Sequence, residues 1–450
     1  MHVEAPPPTH GLFGAAGASG VERMGRALNA PPDSRSSEKY LHWDKLRHLD
    51  PPSELSPEEW WWRIKVLERG PSMRQLRLRD KNGVSLKYSL PDLLLRSLHR
   101  VDQECSGTVA MEEVVTSDRH ARERYLVSSL MEEAIRSSQL EGATTSRRIA
   151  KELLRSGREP EDRSERMIVN NYKALQFMRQ GIGDTLTPDS VLELHRIVTD
   201  RTLDNPEAAG RLQQPEEERV AVRDPDDGRR IHTPPPADEL PDRLQLLCDF
   251  ANEDETSDQF IHPVIRAILL HFALAYDHPF EDGNGRTARI LFFWSMLSRG
   301  YWLVEYLAIS RILCTAPAQY ERAFLETETD EGDTTYFLIH QLKVIERAIA
   351  EMRDYLGNKA REIKELEGLI HGGDGFNHRM LALLSNALRH PGRSYSFRGH
   401  AENHRVTHET ARADLSRLTD RELLLRRKIG REYVFEAPAD LDRRLKESPA

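Results

Sequence analysis

From about residue 121 onward, apolar positions recur every three to four residues, and that spacing predicts helices. In ARERYLVSSLMEEAIRSSQLEG, Val127, Leu130, Met131, Ala134 and Ile135 share one face, and Gly142 supplies a stop. SERMIVNNYKALQFMRQG ends a second helix at Gly181, and TPDSVLELHRIVTD opens a third with Thr187 as cap and Pro188 in the first helical position. VIRAILLHFALAY is apolar on nearly all sides (Val264, Ile265, Ile268, Leu269, Phe272), as a helix at the centre of a core must be. ARILFFWSMLSRG reads as another buried helix with Gly300 as its end, and residues 318–367 read as two more, the second long and charged.

Other stretches break this rhythm. LRLRDKNGVSLKY alternates around Asn82-Gly83, a two-residue hairpin turn. RVAVRDPDDGRRIHTPPP alternates briefly around Asp227-Gly228 and then stops rigidly at Pro234 to Pro236, which predicts a second hairpin. Past HGGDG (371–375), a linker by composition, the chain reads helix, turn near Val406-Thr407, helix over 408–420, then strands LLLRRK and EYVFE joined at Ile429-Gly430-Arg431. The fold class is therefore mainly α, with a β-hairpin in the helical core and a small α/β segment before it. The expected division is a disordered Pro-, Gly- and Ala-rich tail over 1–39, an N-terminal segment 40–105 that holds the tryptophans at 60–62 as core, a helical domain 106–370, and a C-terminal domain 376–440.

Composition changes this picture only slightly. A net charge of −9 disfavours wholesale binding to nucleic acid or an anionic membrane, though a local basic patch stays open. Cys105, Cys248 and Cys314 form no zinc or redox spacing, so a reducing, cytoplasmic setting is the simplest expectation. No apolar run is long enough for a membrane span, and no secretory signal is read at the N-terminus.

The chemistry concentrates in HPFEDGNGRTAR, residues 278–289, between the two most apolar helices. A lone Gly-Asn-Gly is usually a turn, and a lone histidine after a helix is usually a surface group. Their combination points elsewhere. The amides of Gly283, Asn284 and Gly285 would open a helix, where unpaired N–H donors and the positive dipole end bind phosphate. Arg286 and Arg289, three apart, offer forked charge-assisted bonds to phosphate oxygens. Asp282 offers a hard oxygen for Mg²⁺ alongside nucleotide phosphates. His278, of a residue type with an ordinary pKa near 6.5, suits removal of a proton from a hydroxyl. No Walker loop is present.

This stretch resembles the signature of the Fic family, HxFx[D/E]GNGRxxR, at every fixed position, and the resemblance extends over about residues 106–350. It implies a protein adenylyltransferase that moves AMP from ATP to a Ser, Thr or Tyr hydroxyl of a protein, its own chain included. By matching position, His278 would be the base, Asp282 the Mg²⁺ ligand, Gly283, Asn284 and Gly285 the anion hole, and Arg286 and Arg289 the phosphate ligands. The hairpin at about 219–232 would be the flap that clamps a target segment by strand addition.

SSQLEG (137–142) fits the family's inhibitory motif [S/T]xxxE[G/N], with Ser137, Glu141 and Gly142 in its fixed positions, on an inhibitory helix at about 121–142. Ser128 and Glu132 share the spacing, but Glu133 follows where Gly or Asn is needed. The resemblance implies that Glu141 pairs with Arg289 and takes the place of the γ-phosphate. In some relatives the same glutamate also helps remove AMP. Family members often dimerise, so a homodimer is among the expected partners. The C-terminal domain resembles a winged helix-turn-helix, with Arg412, Arg417, Arg426, Arg427, Lys428 and Arg431 as a basic cluster. DNA binding and protein docking stand equal there, and Glu409 and Asp414 on the second helix weigh against the groove. Two rivals stay open: a DNA-binding regulator with a nucleotide-sensing core, and an enzyme using another donor. His195, His262 and His271 have no carboxylates at metal spacing and receive no role.

Overall fold

The structure is a computed structural model. It describes residues 2–10, 12–13, 17–32, 38–106, 119–220, 222–223, 228, 230–254, 256, 259–372, 376–389, 393–429 and 432–447. The chain divides into two compact units, Met1–Gly107 with Ser128–Ile349, and Thr108–Val127 with Ala350–Ala450.

In the first unit, α1 (Gly17–Asn29) corrects the expected disordered tail. Ala27 and Ala30 are buried among Trp60 and Trp61, and Arg23 Nε lies 2.7 Å from the Glu59 carboxylate on α2 (Pro57–Trp62). Small residues that read as disorder by composition are here what lets a helix approach an indole cluster closely. Residues 11, 14–16 and 33–37 of that tail lie outside the described residues. Strands β1 (Arg74–Arg79) and β2 (Ser85–Tyr88) form the first hairpin. Its turn is longer than the two residues expected, because Asp80 Oδ1 accepts from the Asn82 and Val84 amides at 2.8 Å each and so organises residues 80–84. The helix α3 (Asp92–Cys105) follows.

Residues 40–105 do not stand apart from the helices as the sequence suggested. Lys65 Nζ lies 2.7 Å from Asp330, Tyr40 donates to Asp333 at 2.8 Å, and the Thr334 amide donates to the Lys87 carbonyl at 2.8 Å. Buried charges hold only when paired in this way.

The helices that position the site are α4 (Arg119–Leu140), α5 (Arg147–Ser156), α6 (Arg163–Gln180), α7 (Pro188–Thr199), α8 (Leu240–Asn252), α9 (Pro263–Asp277), α10 (Asn284–Ser298), α11 (Ile309–Thr315), α12 (Pro317–Thr329) and α13 (Thr335–Gly372). Thr187 caps α7 with a capping box and Pro188 fills the first helical position. The apolar α9 and α10 pack directly on each other, with Val264, Ile268, Phe272 and Leu291 buried. Each such side chain contributes about 1.5–3 kcal/mol by leaving water, so the loop joining these helices is fixed at both ends. The short β3 (Val222–Arg223) and β4 (Arg230–His232) make the second hairpin, in register Val222↔His232. Asp227 of its turn lies outside the described residues.

The second unit contains α14 (His378–Arg389), β5 (Ser394–Tyr395), α15 (Phe397–His404), α16 (His408–Asp420), β6 (Leu425–Ile429), β7 (Glu432–Glu436) and α17 (Leu441–Glu447). Its sheet has the order β5-β7-β6, and Leu384, Leu415, Leu418, Leu424 and Phe435 fill the core. The second helix coincides with the 408–420 of the sequence reading. Residues 373–375 of the linker, and Gly430 and Arg431 between β6 and β7, lie outside the described residues. One expectation is corrected: Asp414 faces inward, held by Arg379 at 2.7 Å, Asn377 at 2.6 Å and His400 at 3.2 Å. Among the described residues no helix is long and apolar enough to cross a membrane.

Candidate active site

The α9 helix ends at Asp277, and His278 takes a left-handed conformation (φ 46°, ψ 53°) that turns the chain away from the helix axis. Gly283 (φ 85°, ψ 1°) then starts α10. Between these points the backbone carbonyls are tied to the scaffold. Arg219 Nη2 donates to the Asp277 and His278 carbonyls at 2.8 and 3.1 Å, and the Gln213 amide donates to Pro279 at 3.0 Å. The Asn284 side chain grips Phe280 on both sides, accepting from its amide at 2.9 Å and donating to its carbonyl at 2.8 Å. His195 Nε2 lies 2.9 Å from the Asp282 carbonyl. With the carbonyls occupied elsewhere, the amides at the start of α10 face the other way. Among the described residues none accepts from the Asn284 or Gly285 amide. Such a helix opening binds anions.

An anion of the protein itself lies there. Glu141 Oε1 sits so close over Gly285 that a Cβ at that glycine would be 2.1 Å from it. The same oxygen accepts from Arg289 Nη2 at 2.8 Å, and Arg289 also donates to the Ser137 hydroxyl at 2.9 Å and the Ser137 carbonyl at 3.0 Å. Glu141 lies one residue past the end of α4, in a turn where its amide donates to Ser138, rather than on the helix as the spacing suggested. Burial alone would lower the Arg289 pKa; the Glu141 carboxylate outweighs it and the net direction is upward. Glu132, the rejected second match, is spent on Arg147 at 2.8 Å and Lys151 at 3.0 Å.

Arg286 is fully buried, donates to the Val198 carbonyl at 3.2 Å and keeps an Nε with no hydrogen-bond partner among the described residues. Burial lowers its pKa against the pull of Asp282. An unpaired buried guanidinium nitrogen is costly unless a ligand completes it. Asp282 Oδ1 accepts from the Gly283 amide at 2.5 Å and lies 3.2 Å from Arg286, while Oδ2 lies 3.5 Å from Arg163. No cluster of three acidic, His or Cys side chains that could hold a metal occurs among the described residues. One half-buried carboxylate suits Mg²⁺ only together with phosphate oxygens.

His278 is half-buried, and its Nδ1 makes a weak 3.4 Å contact to the Ala275 carbonyl. Burial pulls its pKa down to about 4, so the ring is neutral at pH 7. A proton on Nδ1 leaves Nε2 as a free base. The hairpin is anchored beside it: His232 Nε2 lies 2.7 Å from the Tyr276 carbonyl and Nδ1 lies 2.8 Å from Glu328.

The structure thus brings together His278, Asp282, Gly283, Asn284, Gly285, Arg286, Arg289, Ser137 and Glu141. Sequence reasoning missed the residues that aim the loop, namely His195, Gln213 and Arg219. Only His195 left a signal, a histidine on the buried face of α7 beside Val191, Leu194 and Val198.

Residues 185–296 match the model of the Fic/DOC family. The chain is 26% identical over 242 residues to the protein adenylyltransferase fic-1 of Caenorhabditis elegans, covering 53% of this chain and 44% of that one. It is 32% identical over 122 residues to the protein adenylyltransferase Fic of Nematostella vectensis, covering 26% and 25% of the two chains. The chain thus spans less than half the length of these curated relatives. A solved Fic family protein from Desulfovibrio desulfuricans G20 is similar at a TM-score of 0.49 and 17% identity, over 78% of this chain and 98% of that one. The loop from His278 to Arg289 lies within the matched residues, and by that match the chain carries a Fic domain.

Proposed function

We propose that the chain transfers AMP from ATP to a hydroxyl side chain of a protein, restrained by Glu141. The activity is carried over from the relatives named protein adenylyltransferases. The observation that carries the reading is the Glu141 carboxylate lying over Gly285 and against Arg289: a protein anion at a helix opening whose Asn284 and Gly285 amides have no acceptor among the described residues. With ATP in that cradle, the amides of Gly283 to Gly285, with Arg286 and Arg289, would bind the phosphate oxygens. Asp282 would hold Mg²⁺, which supplies charge neutralisation when bound with the phosphates. His278 Nε2 takes the proton of the target hydroxyl. The hydroxyl oxygen then bonds to the α-phosphorus as the bond to the bridging oxygen breaks, and pyrophosphate leaves in line. The hairpin at 219–232 holds the target segment. The three cysteines are free thiols, in keeping with a reducing, cytoplasmic setting.

The test is labelling of protein by ATP radioactive at the α-phosphate, wild type beside Glu141→Gly. One charge-assisted bond contributes roughly 1.5–3 kcal/mol, so release should raise labelling about ten- to a hundredfold. No label from either protein, with any added target or with the chain itself, would overturn the transfer.

A second reading concerns the C-terminal unit as a winged helix on DNA. The inward Asp414 favours it, because the exposed face of α16 then shows Arg412 and Arg417 beside a single first-turn acid, Glu409. Retention of the full chain on duplex DNA that falls steeply with salt is the expected result.

A further inference from the structure

His195, to which the sequence assigned no role, is bound on three sides to the phosphate loop and its support. Its Nδ1 accepts from the Gly210 amide at 3.0 Å, and an amide only donates. The ring proton must therefore sit on Nε2, where it donates to the Asp282 carbonyl at 2.9 Å. The ring stacks on Phe280 with centroids 3.8 Å apart and planes 7° from parallel. Burial pulls its pKa down to about 4, in keeping with a neutral ring of one tautomer.

The bond matters because of what the next residue permits. Gly283 at φ 85° and ψ 1° has the geometry of the third residue of a type II turn. Glycine accepts the type I alternative equally well, and the two differ by rotation of the preceding peptide through half a turn. In the rotated form the Asp282 carbonyl would face the Asp282 carboxylate and the phosphate cradle, and the Gly283 amide would face α7. A cradle with a carbonyl in it repels phosphate. A Cβ at residue 283 would meet Thr199 at 2.8 Å, so the position belongs to glycine, whose backbone is free to take either form. The Gly283 amide donates to the Asp282 carboxylate at 2.5 Å, and among the described residues only the His195 proton holds the carbonyl of the same peptide.

Resting on the adenylyl-transfer reading above, we propose that His195 is a positioning residue whose Nε2 proton, aimed by the Gly210 amide, locks the Asp282–Gly283 peptide with its N–H toward the nucleotide. His195 touches no substrate and moves no proton.

The test uses the full chain with Glu141→Gly, so that nucleotide enters freely. His195→Phe keeps the ring and its stack on Phe280 but removes both hydrogen bonds. His195→Gln removes the ring but keeps a donor near the position of Nε2. Affinity for ATP with Mg²⁺ is measured by calorimetry, turnover by labelling, and folding by melting temperature. The expected result is a loss of at least about tenfold in kcat/KM and weaker ATP binding for His195→Phe, in line with misplacement of a loop by a fraction of an ångström, and recovery of most of it in His195→Gln. A merely structural role predicts the reverse order, since glutamine abandons the aromatic packing. Three results overturn the lock: parental rates in His195→Phe, equal losses in both variants, or a larger loss in His195→Gln than in His195→Phe. If the Glu141→Gly parent itself leaves no label, it is transfer that fails, and the ATP affinities of the two variants still decide the lock.

Discussion

Two arginine–carboxylate pairs, one in each compact unit, show what separates a removable contact from a permanent one. In the second unit, Asp414 is 4% exposed and Arg379 17%, with Nε and Oδ2 2.7 Å apart. Asp414 also accepts from Asn377 and His400, so its oxygens are saturated. In the first unit the burial is reversed: Arg289 is 4% exposed and Glu141 27%, at 2.8 Å. Among the described residues Glu141 has a single charged donor, and the amides of Asn284 and Gly285 and the Arg286 Nε have no partner. A saturated carboxylate cannot be replaced without loss. A singly held one, over donors that a triphosphate would fill better, can be.

The largest effect that sharpens this contrast is at His278. Against a Glu141→Gly background, His278→Ala should lower the labelling rate about 10²–10⁴-fold while ATP still binds. Retained turnover would remove His278 as the base and leave only the anion cradle of the comparison. The next effect is release of the proposed brake. Glu141→Gly should raise labelling and leave the melting temperature close to the wild type, because the carboxylate is partly exposed and Arg289 keeps both bonds to Ser137. A drop in melting temperature with no rise in labelling would put Glu141 in the same class as Asp414.

The parts of this molecule that were legible in its sequence are those with a strong local signal. The apolar α9 and α10, the Thr187–Pro188 start of α7, the second C-terminal helix at 408–420 and the loop residues from His278 to Arg289 all follow from periodicity, caps or contiguous motif. Illegible were features set by distant residues. Helix α1 is defined by tryptophans some thirty residues on. Asp414 faces inward because Arg379 and His400 come to it from two other helices. The loop is aimed by Arg219 and His195, which lie 59 and 87 residues from their acceptors. The motif names the groups proposed to touch a nucleotide; what orients them is tertiary and leaves little trace in a single sequence.

In the C-terminal unit, Asp414→Asn breaks the other half of the comparison. Burial alone would raise the Asp414 pKa, but the hydrogen bonds from Arg379 and Asn377 outweigh it and the net direction is downward. A carboxyl held below its ordinary value stabilises the fold above that ordinary value and loses this contribution as pH falls through the folded value. The wild-type unit should therefore exceed Asp414→Asn by roughly 1.5–3 kcal/mol at neutral pH, with the gap closing in acid. Differential unfolding of the two full chains by urea at pH 7 and pH 3 checks it. Labelling by the Glu141→Gly protein should be indifferent to this substitution. A loss of labelling would mean that Asp414 is more than a local clamp.

The smallest effect is a displacement in pH. In its proposed role His278 acts as a base only when neutral, so kcat/KM is full above its pKa and falls below it. With the pKa pulled near 4 by burial even though the Glu141 charge raises it, the acid limb in Glu141→Gly should lie well under the ordinary 6.5 of histidine. Stability must be followed in parallel. His271, pulled to about 3 by burial, and His278 take up protons in the unfolded chain before the folded one, so they weaken the fold as pH drops below 6.5. Glu133 and Asp277, pushed up to about 7 by burial, act in the opposite sense over the same range. Where the melting temperature is level, a limb near 6.5 would mean that the His278 ring is solvated in the active enzyme. The dry, preorganised cradle contrasted here with the saturated Asp414 clamp would then open to water once Glu141 leaves.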